Sequence, residues 1–260
     1  MTIKILELLF LAPLFLCWGS FLNMLAHRLI NTKKFWAKRS FCPKCKKAIP
    51  WYDNIPLLSW IMLKAKCRHC KQTISALYPF IELFTATTML ALYYQLQHTY
   101  NLIYFPAYFI FFSALIITIR TDIEFMLISR FATIFLIPLG FLFSFLGLLP
   151  INLLSSLLGA LLGYGFLFGV SKIFKYLTGK QGIGQGDLEL LAFIGSFLGI
   201  IGCWISLFLG SIIGSLFGII YIAITKKSKA VKMPFGHFLS IGAILFVLFG
   251  KYLSYLVLGI

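Results

Sequence analysis

The sequence predicts an all-α polytopic membrane protein with about eight transmembrane helices and a small cytosolic, cysteine-bearing segment between the first and the second. Three observations predict it. Of 260 residues, 60% are hydrophobic, 17% aromatic and only 12% charged, with a mean hydropathy of +0.95, a balance that excludes a soluble enzyme. Several stretches near twenty residues carry no charge, the length a helix needs to cross a hydrocarbon layer. Twenty-three Lys and Arg stand against seven Asp and Glu, a net charge of +16, and nearly all of that excess falls between the apolar runs. Without the runs, such a charge would suggest nucleic acid. With them it marks basic loops on one face of a bilayer, so nucleic acid is not expected as a partner and membrane lipid is.

The first apolar run covers 5–26. Lys4 before it and Gly19 and Ser20 near its end could suggest a secretory signal, but the run continues through Phe21, Leu22, Met24 and Leu25 to a basic stop at Arg28. That is too long for a signal core and fits a retained helix. After a polar stretch, further runs fall at 79–96, 101–119, 131–148, 151–171, 188–201, 203–225 and 235–258. The 188–201 run is short for a span, so it is tilted or extended by the residues before it, and seven helices also fit. If the first span runs outside to inside, segments 27–78, 120–130, 172–187 and 226–234 are cytosolic and hold 21 of the 23 basic residues. Lys4 and Lys251 lie near the other face, where the connections 97–100, 149–150 and about 202 carry no Lys or Arg. Three parts follow: a first transmembrane helix (1–26), a cytosolic segment (27–78) and a transmembrane core of about seven helices (79–260). Small residues spaced by four, Gly159 and Gly163, Gly165 and Gly169, and Ser206, Gly210, Gly214 and Gly218, point to close helix packing in lipid. No internal repeat is evident.

Segment 27–78 contains Cys42, Cys45, Cys67 and Cys70, two Cys-x-x-Cys pairs. Each pair offers two sulfurs from one tight turn, and two turns complete a tetrahedral thiolate site for zinc. So small and polar a segment needs the metal to fold, which makes the predicted element zinc-ribbon-like. Disulfides would need an oxidising compartment, and the charge rule places these thiols in the cytosol. A closed tetrahedron leaves no open position for water, so the zinc is structural. His69 reads as a solvated loop residue, and Cys17 and Cys203, inside spans, as small buried hydrophobes.

Of the seven acids, Glu7 lies near the outer end of the first span, Asp53 in the cysteine segment and Glu82 about one turn into the second span. The others form two pairs, Asp122 with Glu124 after the third span and Asp187 with Glu189 opening the sixth, at one depth on the cytosolic surface. Ionisable residues at membrane depth are functional candidates by default. Two carboxyl groups in contact hold one proton between them, the division of labour that an aspartyl protease uses. The alternative is that Asp122 pairs with Arg120 or Arg130 and Asp187 caps a helix N-terminus. Asp187 ends the run Gly182-Ile183-Gly184-Gln185-Gly186-Asp187, where glycines let the backbone approach another chain closely. A dinucleotide fingerprint fails, because no strand precedes the run and its third glycine is absent.

These residues resemble the type IV prepilin peptidases, bacterial membrane aspartyl proteases of the GxGD type. Gly19, Ser20, Phe21, Leu22, Asn23 and Arg28 resemble the family's first-span ending. Cys42, Pro43 and Cys45, then Trp51, Tyr52, Asn54, Ile55, Pro56, Ser59 and Trp60, through Cys67 and Cys70, resemble its zinc segment. Tyr78, Pro79 and Glu82 resemble its entry to the second span, Asp122 with Ile128 its first catalytic aspartate, Gly184, Gly186 and Asp187 its GxGD motif, and Pro234, Phe235 and Gly236 the start of its last helix. The resemblance implies an enzyme of the inner membrane that cleaves the basic leader of prepilins and pseudopilins after a glycine, on the cytosolic side. Many members then methylate the new N-terminus with S-adenosylmethionine. Carried over, Asp122 and Asp187 are the catalytic pair, Gly184 and Gly186 form the active-site loop, the four cysteines bind zinc, and Glu82, Glu124 and Glu189 are candidates to support the pair.

The chain departs from the family at Ile30 and Ser129, where proline is frequent, at Glu189, often lysine, and at His237, usually proline. His237 reads as an interfacial or packing residue. Segment 27–78 carries about +11, so attraction of a basic leader must come from the acidic pairs, the apolar helix or lipid. The rival class is a non-enzymatic membrane scaffold or cation carrier with a zinc-stabilised docking segment, for which Glu82 and the aspartates would line a polar route. Oligomeric state, the particular pilin and the residues that would hold a methyl donor are not legible.

Overall fold

The computed structural model describes residues 2–30, 40–42, 44–99, 101–180, 182–225 and 234–258. Residues 31–39 and Pro43 of the cysteine segment, nearly all of the basic stretch 226–234, and the side chains of Lys4 and Lys251 lie outside the described residues. Among the described residues the only β pairings are two isolated bridges, and four helices are long and apolar enough to cross a membrane: Glu7–Ile30, Leu102–Phe125, Leu153–Thr178 and Gln185–Thr225. The chain divides into two compact units, residues 1–94 and 95–260.

In the first unit, helix α1 (Thr2–Ile30) buries Phe15, Gly19, Leu22, Asn23 and Ala26, spaced three and four apart along one face, while Leu8, Leu9, Phe10 and Leu14 stay exposed. The buried face meets α3 (Leu77–His98). A Cβ at Gly19 would lie 2.8 Å from Glu82 Cα, and Asn23 Nδ2 donates to the Tyr78 carbonyl at 3.1 Å. Cys17 falls on the other face and is exposed, which corrects the expectation that it is buried. Between these helices lie the cysteine segment and the five-residue helix α2 (Leu58–Met62).

In the second unit, a 3₁₀ turn (Leu102–Tyr104) leads into α4 (Phe105–Phe125), which is buried from Phe111 to Asp122 and ends where Met126 turns left-handed and donates its N–H to the Asp122 carbonyl. Asp122 therefore sits in the last turn of α4 rather than beyond it. The run 131–148 yields two 3₁₀ turns and then α5 (Ile137–Phe145), begun at Pro138. Thr133, at φ −123° and ψ −84°, interrupts the helical geometry. Nine residues rise only about 14 Å, too little to span the expected hydrocarbon thickness. Helix α6 (Leu153–Thr178) is capped by Asn152 Oδ1, which accepts the Ser155 N–H at 2.8 Å, and ends at Gly179 with φ 71°.

The runs 188–201 and 203–225 are two helices, as expected, joined without a loop into one continuous segment, α7 (Gln185–Thr225), and parted at Gly199 with φ 69° and ψ −168°. Unbroken, its 41 residues would extend about 60 Å, twice the hydrocarbon thickness, so the glycine lets the chain change course. Helix α8 (Gly236–Leu258) packs on α4 and α7, while α6 lies along α7. Gly159 and Gly195 bring the α6 and α7 backbones together, and Gly210 and Gly242 do the same for α7 and α8. Gly165 and Gly169 face open space, so that pair does not mark a helix contact. Phe111, Phe193 and Phe197 cluster with ring centroids 4.9–5.2 Å apart between α4 and α7. On the outside, Leu161, Ile173, Leu177, Ile219 and Ile224 are exposed, an apolar surface suited to lipid.

Candidate active site and metal centre

In the first unit the two cysteine pairs form matching turns, 25 residues apart. Cys42 N–H donates to the Lys47 carbonyl and Lys46 N–H to the Cys42 carbonyl. Cys67 and Lys71 repeat both bonds with Gln72 and Cys67. Lys46 and Lys71 take positive φ, and the bridges Phe41–Ala48 and Lys66–Thr73 close the turns. The repeat follows the Cys-x-x-Cys-Lys pattern that both turns share in the sequence. Its four sulfurs all lie within 4.8 Å of one another, Cys42 and Cys70 at 3.9 Å. Zn–S bonds of about 2.3 Å in a tetrahedron place sulfurs about 3.8 Å apart, so the cluster fits a zinc ion. Backbone N–H groups of Cys70 and His69 lower the Cys67 thiol to about 7, toward the thiolate that a metal takes. His69 is exposed, as expected.

The rest of the segment is sewn by polar contacts. Arg68 Nε and Nη2 bond the two oxygens of Asp53 at 2.7 and 2.6 Å, and these bonds hold the Asp53 carboxyl below the usual carboxylate range. Leu57, at φ 60° and ψ −53°, centres a γ-turn in which Leu58 N–H donates to the Pro56 carbonyl. The Leu57 N–H itself is held by Glu82 Oε2 at 2.9 Å. Glu82 thus fastens the cysteine segment to α3 within the first unit.

In the second unit, three helix ends converge. Asp122, 4% exposed, closes α4; Asp187 lies in the first turn of α7; His237 opens α8. Asp122 and Asp187, remote in sequence, are thereby brought to helix ends that share one neighbour, Ile128. Three glycines clear the space around them. A Cβ at Gly184 would lie 3.3 Å from Asp187 Oδ2, one at Gly186 would lie 2.9 Å from Ile128 Cβ, and one at Gly236 would lie 2.6 Å from Ile128 Cδ1 and 3.2 Å from Asp122 Oδ2. Ile128 therefore wedges between the starts of α7 and α8.

The basic residues pair elsewhere than the alternative reading expected. Arg120 bonds Glu124, and Arg130 Nε lies 3.4 Å from Glu189 Oε1. Gln185 Nε2 donates to Tyr164 Oη at 3.2 Å and to Glu189 Oε1 at 3.3 Å. Asp122 Oδ2 accepts the backbone N–H of His237 at 2.8 Å and meets its Nδ1 at 3.0 Å. This contact gives a polar partner to a residue read from the sequence as interfacial or packing. The available signal was a polar, titratable side chain at the mouth of an apolar helix, beside a glycine.

The model of the bacterial peptidase A24 N-terminal domain matches residues 14–96, and that of the type IV leader peptidase family matches residues 109–223. The division between them falls where the two compact units part. The chain is similar to the prepilin leader peptidase/N-methyltransferase of Aeromonas salmonicida (strain A449), 34% identical over 258 residues, covering 89% of this chain and 87% of that protein. Proteins of the same name from Stutzerimonas stutzeri (31% identical, 91% and 88% covered) and Burkholderia pseudomallei (32%, 98% and 89%) are similar over comparable lengths. No solved structure matches the chain. A relative 34% identical over nine-tenths of the sequence, with family matches in order along both units, means that this chain belongs to the type IV leader peptidase family.

Proposed function

We propose that the protein cleaves the leader of type IV prepilins and pilin-like secretion proteins after a glycine, at the cytosolic face of the inner membrane, with Asp122 and Asp187 as an aspartyl dyad. The observation that carries this reading is that the ends of α4 and α7 bearing Asp122 and Asp187 share one neighbour, Ile128, which lies against Gly186 next to Asp187 and against Gly236 beside the Asp122 carboxyl group. In hydrolysis the ionised member takes a proton from water as the water oxygen bonds the scissile carbonyl carbon, and the protonated member gives its proton to the carbonyl oxygen. The gem-diol then returns a hydroxyl proton to the second carboxylate. The first passes its proton to the amide nitrogen, and the C–N bond breaks to a carboxylic acid and an amine. Gly184 and Gly186 keep the approach to Asp187 free of side chains, and Glu124 and Glu189 hold nearby arginines away from the dyad.

Zinc held by Cys42, Cys45, Cys67 and Cys70 is structural in this reading. It would supply folding free energy to a segment with little apolar core. The orientation rests on the basic loops, and the shorter apolar helices, α5 among them, complete the membrane-embedded core alongside the four long ones. Methylation of the new N-terminus is proposed from the names of the relatives, and no described residue is assigned to S-adenosylmethionine.

The test is incubation of detergent-solubilised protein with a prepilin, followed by identification of the new N-terminus. Asp122→Asn and Asp187→Asn, each alone, are expected to abolish cleavage while zinc content and thermal unfolding stay unchanged. Substantial processing by either variant would refute the dyad. With S-adenosylmethionine added, the product is expected to gain one methyl group by mass.

A further inference from the structure

We infer that His237 is a positioning residue for the dyad: its backbone N–H and its imidazole Nδ1–H together occupy Oδ2 of Asp122 and make Asp122 the member that accepts the proton of water, through Oδ1. The inference rests on the peptidase reading and assigns the two roles that reading leaves open.

The geometry supports this in three ways. The backbone N–H of His237 donates to Asp122 Oδ2 at 2.8 Å and its Nδ1 lies 3.0 Å from the same oxygen, within the range of charge-assisted hydrogen bonds. A carboxyl oxygen that accepts two N–H donors has no place for a proton, so Oδ1 is the oxygen left to take one. The site is enclosed: the side chains of His237 and Asp122 are 12% and 5% exposed, and the imidazole lies against Phe238 with ring centroids 3.9 Å apart. The absence of a side chain at Gly236 admits the Asp122 carboxylate to the first turn of α8, where backbone N–H groups favour a negative group.

On α4 are Asp122 itself and the Arg120–Glu124 pair. In the following loop Arg130 pairs with Glu189 of α7, and Asp187 lies in the first turn of α7. Lys226, Lys227, Lys229 and Lys232 precede α8 outside the described residues. The contact made by the His237 ring is with Asp122. Its Nδ1 acts as donor in the neutral Nδ1–H tautomer and in the imidazolium alike. The oxygen left over, Oδ1, takes the proton from water, and Asp187 then donates its own proton to the substrate carbonyl.

The test uses the full-length protein in detergent with a prepilin substrate, resolving kcat and KM. His237→Phe keeps the ring volume and the backbone N–H but deletes the imidazole donor. Its kcat is expected to fall about 10-fold, the low end for losing a hydrogen bond to a charged group, with KM within about 2-fold. His237→Asn places an amide N–H close to the position of Nδ1 and is expected to restore kcat to within about 3-fold of wild type. Equal loss in both variants would mark a packing role and overturn the inference, as would wild-type kcat in His237→Phe. Independently of activity, ¹⁵N-labelled protein is expected to show a low-field Nδ1–H resonance that His237→Phe abolishes and Asp122→Asn shifts. Absence of that resonance also overturns the inference. Its presence in a protein that cleaves no prepilin supports the contact and refutes the peptidase reading alone.

Discussion

Ile128 is the element whose removal tests the packing around the two aspartates most sharply. An alanine Cβ at Gly236 would lie 2.6 Å from Ile128 Cδ1, about 1.2 Å inside ordinary carbon contact, and 3.2 Å from Asp122 Oδ2. Overpacking of this size costs about 1–3 kcal/mol. If the strain falls on the position of the carboxylate, Gly236→Ala is expected to slow leader cleavage about 5- to 150-fold. Ile128→Val removes Cδ1 and leaves Cγ1, at 3.3 Å, as the nearest remaining carbon. Alone it costs about 1 kcal/mol of stability or less. Combined with Gly236→Ala, it is expected to recover most of the lost rate, a coupling of about 1–2 kcal/mol in a double-mutant cycle. Gly186→Ala supplies the contrast: its new methyl meets Ile128 Cβ at 2.9 Å, an atom that valine retains, so Ile128→Val is not expected to rescue it. The assay is initial cleavage rate in detergent, with thermal unfolding followed by tryptophan fluorescence in parallel. Strict additivity of Gly236→Ala with Ile128→Val, or rescue of Gly186→Ala, would refute the placement of Ile128 between the two helix starts.

Two further outcomes concern the cysteine segment. Cys42→Ser or Cys67→Ser is expected to reduce bound zinc from about one ion per chain to near zero by elemental analysis, and to open the segment to limited proteolysis; unchanged zinc would refute the thiolate site. Asp53, held below its ordinary range by Arg68, lends stability that is present above about pH 4 and is lost as pH falls through the lowered value. Carboxyl ¹³C shifts are expected to titrate back in the ordinary range in Arg68→Gln, and an unmoved titration would refute the pairing.

The apolar runs made most of the helices legible, because a length of uncharged residues is a property of the chain itself. Where the runs misled, the cause was local geometry. Thr133 leaves helical angles and shortens the 131–148 run to α5, while the helices of the runs 188–201 and 203–225 part at Gly199 rather than near 202. Spacing of the cysteines revealed the metal turns, both of which read Cys-x-x-Cys-Lys, while the matching backbone bonds and left-handed lysines came only from the structure. Spacing by four was sound for Gly159 and Gly210 and failed for Gly165 and Gly169, since the period says that residues share a face and not what that face meets. The aspartates stood out as candidates from scarcity, as members of two acid pairs among seven acids. His237 did not, because its partner lies 115 residues away and no periodicity reports such a contact.

The Leu57 turn bears on how readily this segment could be exchanged between proteins. Its backbone adopts a conformation that disfavours any side chain, and the amide it presents is met by an acid that belongs to a different element, Glu82 on α3. A cysteine segment transplanted from another chain would bring four sulfurs and its own metal, yet dock here only if it offered an N–H at that point. Recipient and graft are matched by one amide and one carboxylate, and chimaeras that ignore the match should fold their metal turns and leave them unanchored.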